Sequence, residues 1–473
     1  MTFHISLVGR KNLSAEIYRQ VRDGILNGLL SPGDPLPASR ELARTLSVSR
    51  ITVTVAYDRL TAEGFTNSRV GAGTFVSEHI AARDRSTRDR PGMLQPRRVW
   101  DSIELPSAFA RPAVFDFRTG IPDASLFPHR KWWRLMSRAL RAHAPASVLY
   151  GHPAGYPELR EAIARHIGIS RGVIASADDV TVTNGTQQAF DILARVLLEP
   201  GDRIVVEDPG YSPPRRLFES LGARVAAVPV DREGIVVEKI PRNVRAAYVT
   251  PSHQYPLGVA MTLVRRHALL AWAERHGAAI IEDDYDSEFR FGGRPLDPLC
   301  TLDTSGRVIY IGSFSKTLLP SLRLGFVIAP PSLRAAVHKA KFVCDWHSPS
   351  LAQLALARFM DDGGFVRHIR KLNAVYEERH AFVTNTLDRY FAHHLELIPS
   401  STGLHVTALA RKASVKQIAA VARRAAEDGV AIQVLSFFAV GQTKRAGIVL
   451  GYGGIATDRI EEGLRRLRRC FRN

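Results

Sequence analysis

An α/β domain built on a mostly parallel sheet, preceded by a small helix-turn-helix module with a hairpin wing, is the architecture this sequence predicts. Three observations lead there. From Val114 onward short β-rich runs alternate with helical patterns, the arrangement that lays parallel strands side by side. The first 78 residues instead keep helical spacing punctuated by caps and breakers. Between them, an arginine-rich stretch with scattered prolines has no sustained periodicity and reads as a linker. The expected boundaries are 10–78 for the first module, 79–113 for the linker and 114–473 for the large domain, with a smaller α+β part beginning near Ser348.

Composition excludes several classes. The 473 residues are 45% hydrophobic and 23% charged, ordinary globular values that disfavour disorder, collagen-like sequence and a membrane protein. Met1 to Arg10 lacks a secretory apolar core and no run approaches the length that spans a bilayer, so a cytoplasmic protein with no membrane partner is expected. Cys300, Cys344 and Cys470 are odd in number and too far apart for paired zinc spacing; neither a disulfide framework nor a metal site is predicted. A net charge of +18 suggests a polyanionic partner. Residues 1–78, however, hold nine Lys/Arg against seven Asp/Glu, so charge alone does not locate a DNA-binding face.

In the first module Leu13, Ile17, Val21 and Ile25 recur every four residues and form one apolar face of a helix ending near Gly28. Breakers follow at Ser31-Pro32-Gly33-Asp34-Pro35. Ser39 suits the N-cap of a short second helix, and Ser49 that of a third whose buried stripe is Val53, Ala56, Tyr57 and Leu60. Two capped helices joined by the tight segment Leu46-Ser47-Val48-Ser49 match the plan in which the second helix enters the major groove by its N-terminal residues, here Ser49, Arg50, Thr52 and Thr54. Arg69 and the glycines of Gly71-Ala72-Gly73, set between β-prone residues, predict a short hairpin. The run Pro35-Leu36-Pro37-Ala38-Ser39-Arg40-Glu41-Leu42-Ala43, then Val48-Ser49-Arg50-Ile51-Thr52-Val53 and Gly73-Thr74-Phe75-Val76, resembles the winged helix of GntR-type regulators. That resemblance implies a double-stranded operator DNA partner contacted by Arg40, Ser49, Arg50, Thr52, Arg69 and Gly71.

In the large domain Lys316 follows the strand Arg307–Ile311 within Gly312-Ser313-Phe314-Ser315-Lys316, with Arg323 just beyond. An amine at the C-terminal end of a strand lies where open α/β sheets bind ligands, and it has the chemistry of a Schiff-base lysine. A pyridine cofactor needs a carboxylate at its ring nitrogen, which the strand Ala279–Glu282 delivers as Asp283, with Tyr285 two residues on. Its phosphate needs N–H groups at a helix start, available at Asn184-Gly185-Thr186-Gln187-Gln188; its ring face needs stacking, offered by Tyr211 in Asp208-Pro209-Gly210-Tyr211. All four sites are expected in βα loops on one sheet edge.

Together with Gly155-Tyr156-Pro157-Glu158-Leu159-Arg160 and Thr250-Pro251-Ser252-His253-Gln254-Tyr255-Pro256-Leu257-Gly258, these segments resemble fold-type I aminotransferases. The resemblance implies pyridoxal 5'-phosphate as cofactor, bonded to Lys316, with Asp283 at the ring nitrogen, Tyr285 at the ring hydroxyl and Tyr211 stacking. Gly185, Thr186, Gln187, Ser313 and Arg323 would hold the phosphate. Two positions depart from that pattern. Tyr255 stands where an asparagine is usual. Gly447 stands where a late arginine usually clamps a substrate carboxylate, so either Arg445 takes over or the ligand lacks an α-carboxylate. A GntR-like winged helix joined to an aminotransferase-like domain resembles a MocR-type transcriptional regulator. This implies a head-to-tail homodimer and a small effector, either an amine or amino acid or a B6 vitamer. The competing reading is an aminotransferase with an accessory DNA-binding module.

Overall fold

A computed structural model describes residues 5–7, 12–69, 73–78, 94–103, 105, 113–143, 149–292 and 297–471. The chain divides into two compact units, Met1–Arg97 and Arg98–Asn473.

The first unit packs helices α1 (Leu13–Leu26), α2 (Ser39–Thr45) and α3 (Arg50–Ala62) with an antiparallel hairpin of β1 (Thr66–Arg69) and β2 (Gly73–Val76). Apart from Leu13, which is only half-buried, the predicted stripes form its core: Ile17, Val21 and Ile25 meet Leu42, Ala43, Val53, Ala56, Tyr57 and Leu60. Each such side chain contributes roughly 1.5–3 kcal/mol when fully buried. Ser49 caps α3 as expected, its side chain accepting from the Thr52 N–H at 3.2 Å. Ser39 does not cap α2. It is the first helical residue, after extended Ala38, and its hydroxyl accepts from Arg50 Nε at 3.4 Å, which ties the two helix starts together. Helix α1 stops at Leu26, two residues before Gly28. Gly71 lies outside the described residues.

In the second unit the chain runs through β3 (Phe115–Asp116), α4 (His129–His143), α5 (Pro157–Arg171), β4 (Val180–Thr183), α6 (Thr186–Leu197), β5 (Arg203–Asp208), α7 (Ser212–Ser220), β6 (Arg224–Asp231), β7 (Gly234–Ile235), β8 (Ala246–Val249), α8 (Leu263–His276), β9 (Ala279–Asp284), α9 (Leu299–Leu302), β10 (Val308–Ser313) and β11 (Gly325–Ile328). The eight-stranded sheet has the order β4-β11-β10-β9-β8-β5-β6-β7. From β10 through β6 neighbouring strands pair in parallel, whereas β11 runs antiparallel to both β10 and β4. The alternation of β runs anticipates every parallel strand but not β11, which needs no crossover helix and so leaves no βα signature. Since β4 and β10 both run antiparallel to β11, they point the same way. The C-terminal ends of β4, β5, β9 and β10 therefore share one edge.

Helices α10 (Pro331–Asp345), α11 (Ser350–Asp361) and α12 (Gly364–Tyr390) lead into a four-stranded antiparallel sheet, ordered β12 (Leu395–Leu397), β13 (His405–Ala410), β16 (Gly447–Gly451) and β15 (Gln433–Val434). Helices α13 (Val415–Glu427) and α14 (Thr457–Arg469) pack in this region, where the short β14 (Val430–Ala431) pairs in parallel with β3. The start of the large domain is thus stitched to its end: Phe115 and Phe117 belong to the same core as Leu450 and Leu464.

Candidate functional site

A cavity of about 900 Å³ opens at the shared C-terminal edge of the parallel strands. Thr186, Gln187, Tyr211, Asp283, Tyr285, Ser313, Lys316 and Arg323 all line it, so residues spread over 138 positions of sequence converge on one volume. Asp283 comes from within β9 and Ser313 ends β10, so these two are carried by the sheet itself and not by loops as expected. Gly185 lies behind the cavity wall. Its backbone has φ 76° and ψ 174°, a region reserved for glycine, and a Cβ there would come within 2.4 Å of the Arg323 guanidinium. Arg323 Nη2 donates to the Asn184 carbonyl at 3.0 Å, so the arginine is held against the start of α6. The first N–H groups of that helix have no partner within it and are available to an anion. Behind the loop, Asn184 and Gln188 both donate to Asp345 at 2.6 Å, fixing its shape.

Asp283 is buried. Its Oδ2 accepts from the Tyr248 hydroxyl at 2.9 Å, while its Oδ1 has no hydrogen-bond partner among the described residues. Burial pushes its carboxyl up to about 7, and the Tyr248 hydroxyl opposes the shift. An unsatisfied buried acceptor is costly, and a protonated ring nitrogen would relieve it. Tyr211 meets Tyr255 edge to face at 5.5 Å. The Tyr285 hydroxyl donates to the His253 carbonyl at 3.0 Å and lies 3.1 Å from His253 Nδ1. Lys316 Nζ donates to the Gly120 carbonyl at 2.8 Å. Burial holds this amine below the ordinary lysine range, with Asp286 and Asp283 pulling the other way. A depressed amine is a better nucleophile toward an aldehyde at neutral pH. The orphaned carboxylate oxygen, the glycine cradle beside a guanidinium and the desolvated amine fit the donor set that pyridoxal 5'-phosphate requires.

Sequence reasoning missed several partners. Tyr248, central in β8, reads as a core aromatic, and only the sheet register sets it beside Asp283. Tyr255, in place of the usual asparagine, meets Thr119 Oγ1 at 2.5 Å, and Thr119 also donates to Gln433 Oε1 at 2.8 Å. His253, Asp286 and His405 converge with ligand-capable atoms within 4.8 Å of one another, although no metal site was expected. His253 Nδ1 lies 3.0 Å from Asp286, and His405 Nε2 donates to the Pro256 carbonyl at 3.0 Å. Arg445 is not brought to the cavity. It is exposed, in the segment before β16, whose pairing with β13 buries Gly447 instead. Among the described residues, the cationic side chains lining the cavity are those of Lys316, Arg323 and Arg216 on α7.

In the first unit Arg40, Ser49 and Arg50 are exposed and Thr52 is half-buried. Arg69 lies 3.6 Å from Glu78 and stacks over Phe75 at 5.1 Å, so the wing arginine is anchored along its own hairpin. No helix among the described residues is long and apolar enough to cross a membrane.

Residues 13–76 match the family of bacterial regulatory proteins of gntR type, and residues 114–465 match aminotransferase class I and II. The chain is 38% identical to a probable rhizopine catabolism regulatory protein, MocR, of Rhizobium meliloti, over 96% of this chain and 93% of that one. It is 32% identical to the pyridoxine biosynthesis transcriptional regulator PdxR of Corynebacterium glutamicum, over 94% and 93%. Among solved structures, a kynurenine aminotransferase of Pyrococcus horikoshii in complex with PMP matches with a TM-score of 0.72 at 26% identity, covering 79% of this chain and 96% of that one.

Proposed function

Because the chain belongs to the MocR-type GntR family of DNA-binding transcriptional regulators, in which a winged helix is joined to an aminotransferase-like domain, we propose that it couples operator binding to occupancy of the cavity around Lys316. Its cofactor is pyridoxal 5'-phosphate, which when bound supplies an aldehyde that condenses with amines. Lys316 is the residue we assign to that aldehyde, and Asp283 the carboxylate that keeps the ring nitrogen protonated. Tyr285 holds the ring hydroxyl and Tyr211 covers the ring face. Gly185, Thr186, Gln187, Ser313 and Arg323 hold the phosphate. The observation that carries this assignment is the unpartnered Oδ1 of Asp283 in the same cavity as the Lys316 amine.

The division we adopt is 10–78 for operator DNA, 79–113 for the connection and 114–473 for sensing and dimerisation. Arg40, Ser49, Arg50 and Thr52 are assigned to DNA, with Arg69 and Gly71 on the wing. The effector is a small amine or amino acid that competes for the position of the Lys316 amine, or a B6 vitamer; relatives named for rhizopine catabolism and for pyridoxine biosynthesis fit these two classes. Ordinary transamination has less support, because Arg445 lies outside the cavity. Coupling requires the effector to bind the DNA-competent and incompetent conformations unequally, and a tenfold shift in operator affinity needs about 1.4 kcal/mol of difference. A head-to-tail homodimer in the cytoplasm is the working form. An exposed apolar surface of Leu149, Tyr150, Phe342, Val343 and Trp346, with Tyr150 stacked on Trp346 at 4.4 Å, suits burial against a second copy.

The test is a screen of small amines and B6 vitamers against the cofactor-loaded full chain, read by absorbance and by DNA mobility shift. Borohydride treatment should fix the cofactor on Lys316, and at least one ligand should change both readouts. No fixed adduct on wild type, or a spectral change with unaltered DNA affinity across the screen, would overturn the cofactor assignment or the coupling respectively.

A further inference from the structure

Helix α3 exposes apolar side chains where a merely solvated helix would carry charge. Its inward stripe is Val53, Ala56, Tyr57 and Leu60; its exposed residues are Arg50, Ile51, Thr54, Val55, Asp58, Arg59 and Ala62. Ile51 is 75% exposed and Val55 51% exposed. Four residues apart, they sit one turn above the other on the same face. Helix propensity does not account for them, because β-branched residues are weaker helix formers than Glu, Lys or Gln. Nor does the core, which is complete without them.

Their position points to the occupant. Ile51 is the second residue of α3, beside Arg50 and next to the Ser49 cap, at the end of the recognition helix that enters the major groove. Arg50 and the hydroxyls of Ser49, Thr52 and Thr54 suit phosphates and polar base edges. Asp58 comes two turns later, where nearby phosphates would repel it, and Arg59 beside it is paired with Glu63 at 2.9 Å and lies over the Tyr18 ring; this confines the base-facing stretch to Arg50–Val55. In the major groove, the group that an apolar side chain recognises is the 5-methyl of thymine.

We propose that Ile51, supported by Val55, reads the thymine methyl at one position of each operator half-site and is a sequence-determining residue of this protein. The proposal rests on the DNA-binding reading above and adds the base that is read.

The experiment selects duplexes from a random library with the cofactor-loaded full chain at fixed salt, then replaces each thymine of the selected site by deoxyuridine, which lacks only the methyl. One thymine per half-site should be required, and its replacement should weaken wild type three- to tenfold. Ile51→Ala should weaken binding to the parent site by a similar factor and lose sensitivity to that replacement, whereas Ile51→Val should keep most of both. An Ile51→Ala protein that remains as sensitive as wild type, or a wild type insensitive to every replacement, overturns the proposal while leaving DNA binding intact. A full chain that selects no duplex, with Arg50→Ala changing nothing, defeats the DNA reading itself.

Discussion

The start of α3 and the edge of the large sheet treat polarity in opposite ways. At the first, Arg40, Ser49 and Arg50 stand in water, and their positions follow from local chain geometry: a cap, a turn and a 3.6-residue period. At the second, Asp283 is buried and Lys316 half-buried, and desolvation raises the one while lowering the other. The exposed site costs the fold little and draws its strength from a partner, with a strong dependence on salt. The buried site is energetically unsatisfied until something enters, so the two should respond differently to the same kinds of perturbation.

The largest effect is expected at Gly185. Gly185→Ala places a methyl against the Arg323 guanidinium on a backbone that only glycine adopts easily, and should weaken cofactor retention by about a hundredfold, roughly 2–3 kcal/mol. Equilibrium dialysis of pyridoxal phosphate measures this; unchanged retention would detach the α6 start from phosphate binding.

Next is the pH response of the cofactor-free protein. Asp283 has a folded value of about 7, above that of an unfolded aspartate, so the folded state holds its proton to higher pH. Stability from this group is present below the unfolded value near 4 and falls as pH rises through about 7. Asp283→Asn should remove part of that decline, making the cofactor-free variant more stable than wild type at pH 8 by about 2 kcal/mol or less, with a smaller gap at pH 5. Glu207, also raised to about 7 by burial, retains its own share of the slope. Thermal unfolding at the two pH values decides the matter, and parallel curves for the two proteins would refute it.

The smallest effect belongs to the exposed site. Ser49→Ala removes the hydrogen bond to the Thr52 N–H and should lower the stability of the first unit by about 1 kcal/mol, with no change in the cofactor spectrum. Denaturant unfolding followed alongside absorbance tests whether the two units behave as separately as their polarity does.

The same contrast governs what could be read in advance. The α3 cap, its buried stripe and the hairpin depend on residues a few positions apart, and they were legible in the sequence. So were Asp283, Tyr285 and Lys316, because each lies at or just beyond the end of a strand whose pattern is visible. The polar partners of Asp283 and Tyr285 were not: Tyr248 and His253 reach them only through sheet register and loop closure, which no short window contains. β11 escaped because it runs against its neighbours. Of the two alternatives open at Gly447, a role for Arg445 loses support, because β16 begins at Gly447 and leaves the preceding segment on the surface.

The bond from Lys316 to the carbonyl of Gly120 ties the reactive nitrogen to a loop that follows the connecting segment and β3. The free amine has hydrogens to give to that carbonyl; a nitrogen doubly bonded to carbon would keep at most one, and a bound cofactor would compete for it. Anything that holds the Lys316 nitrogen would therefore compete with its bond to the Gly120 carbonyl, and anything that frees it would restore that bond, so a main-chain oxygen and not a charged side chain would register occupancy of the cavity.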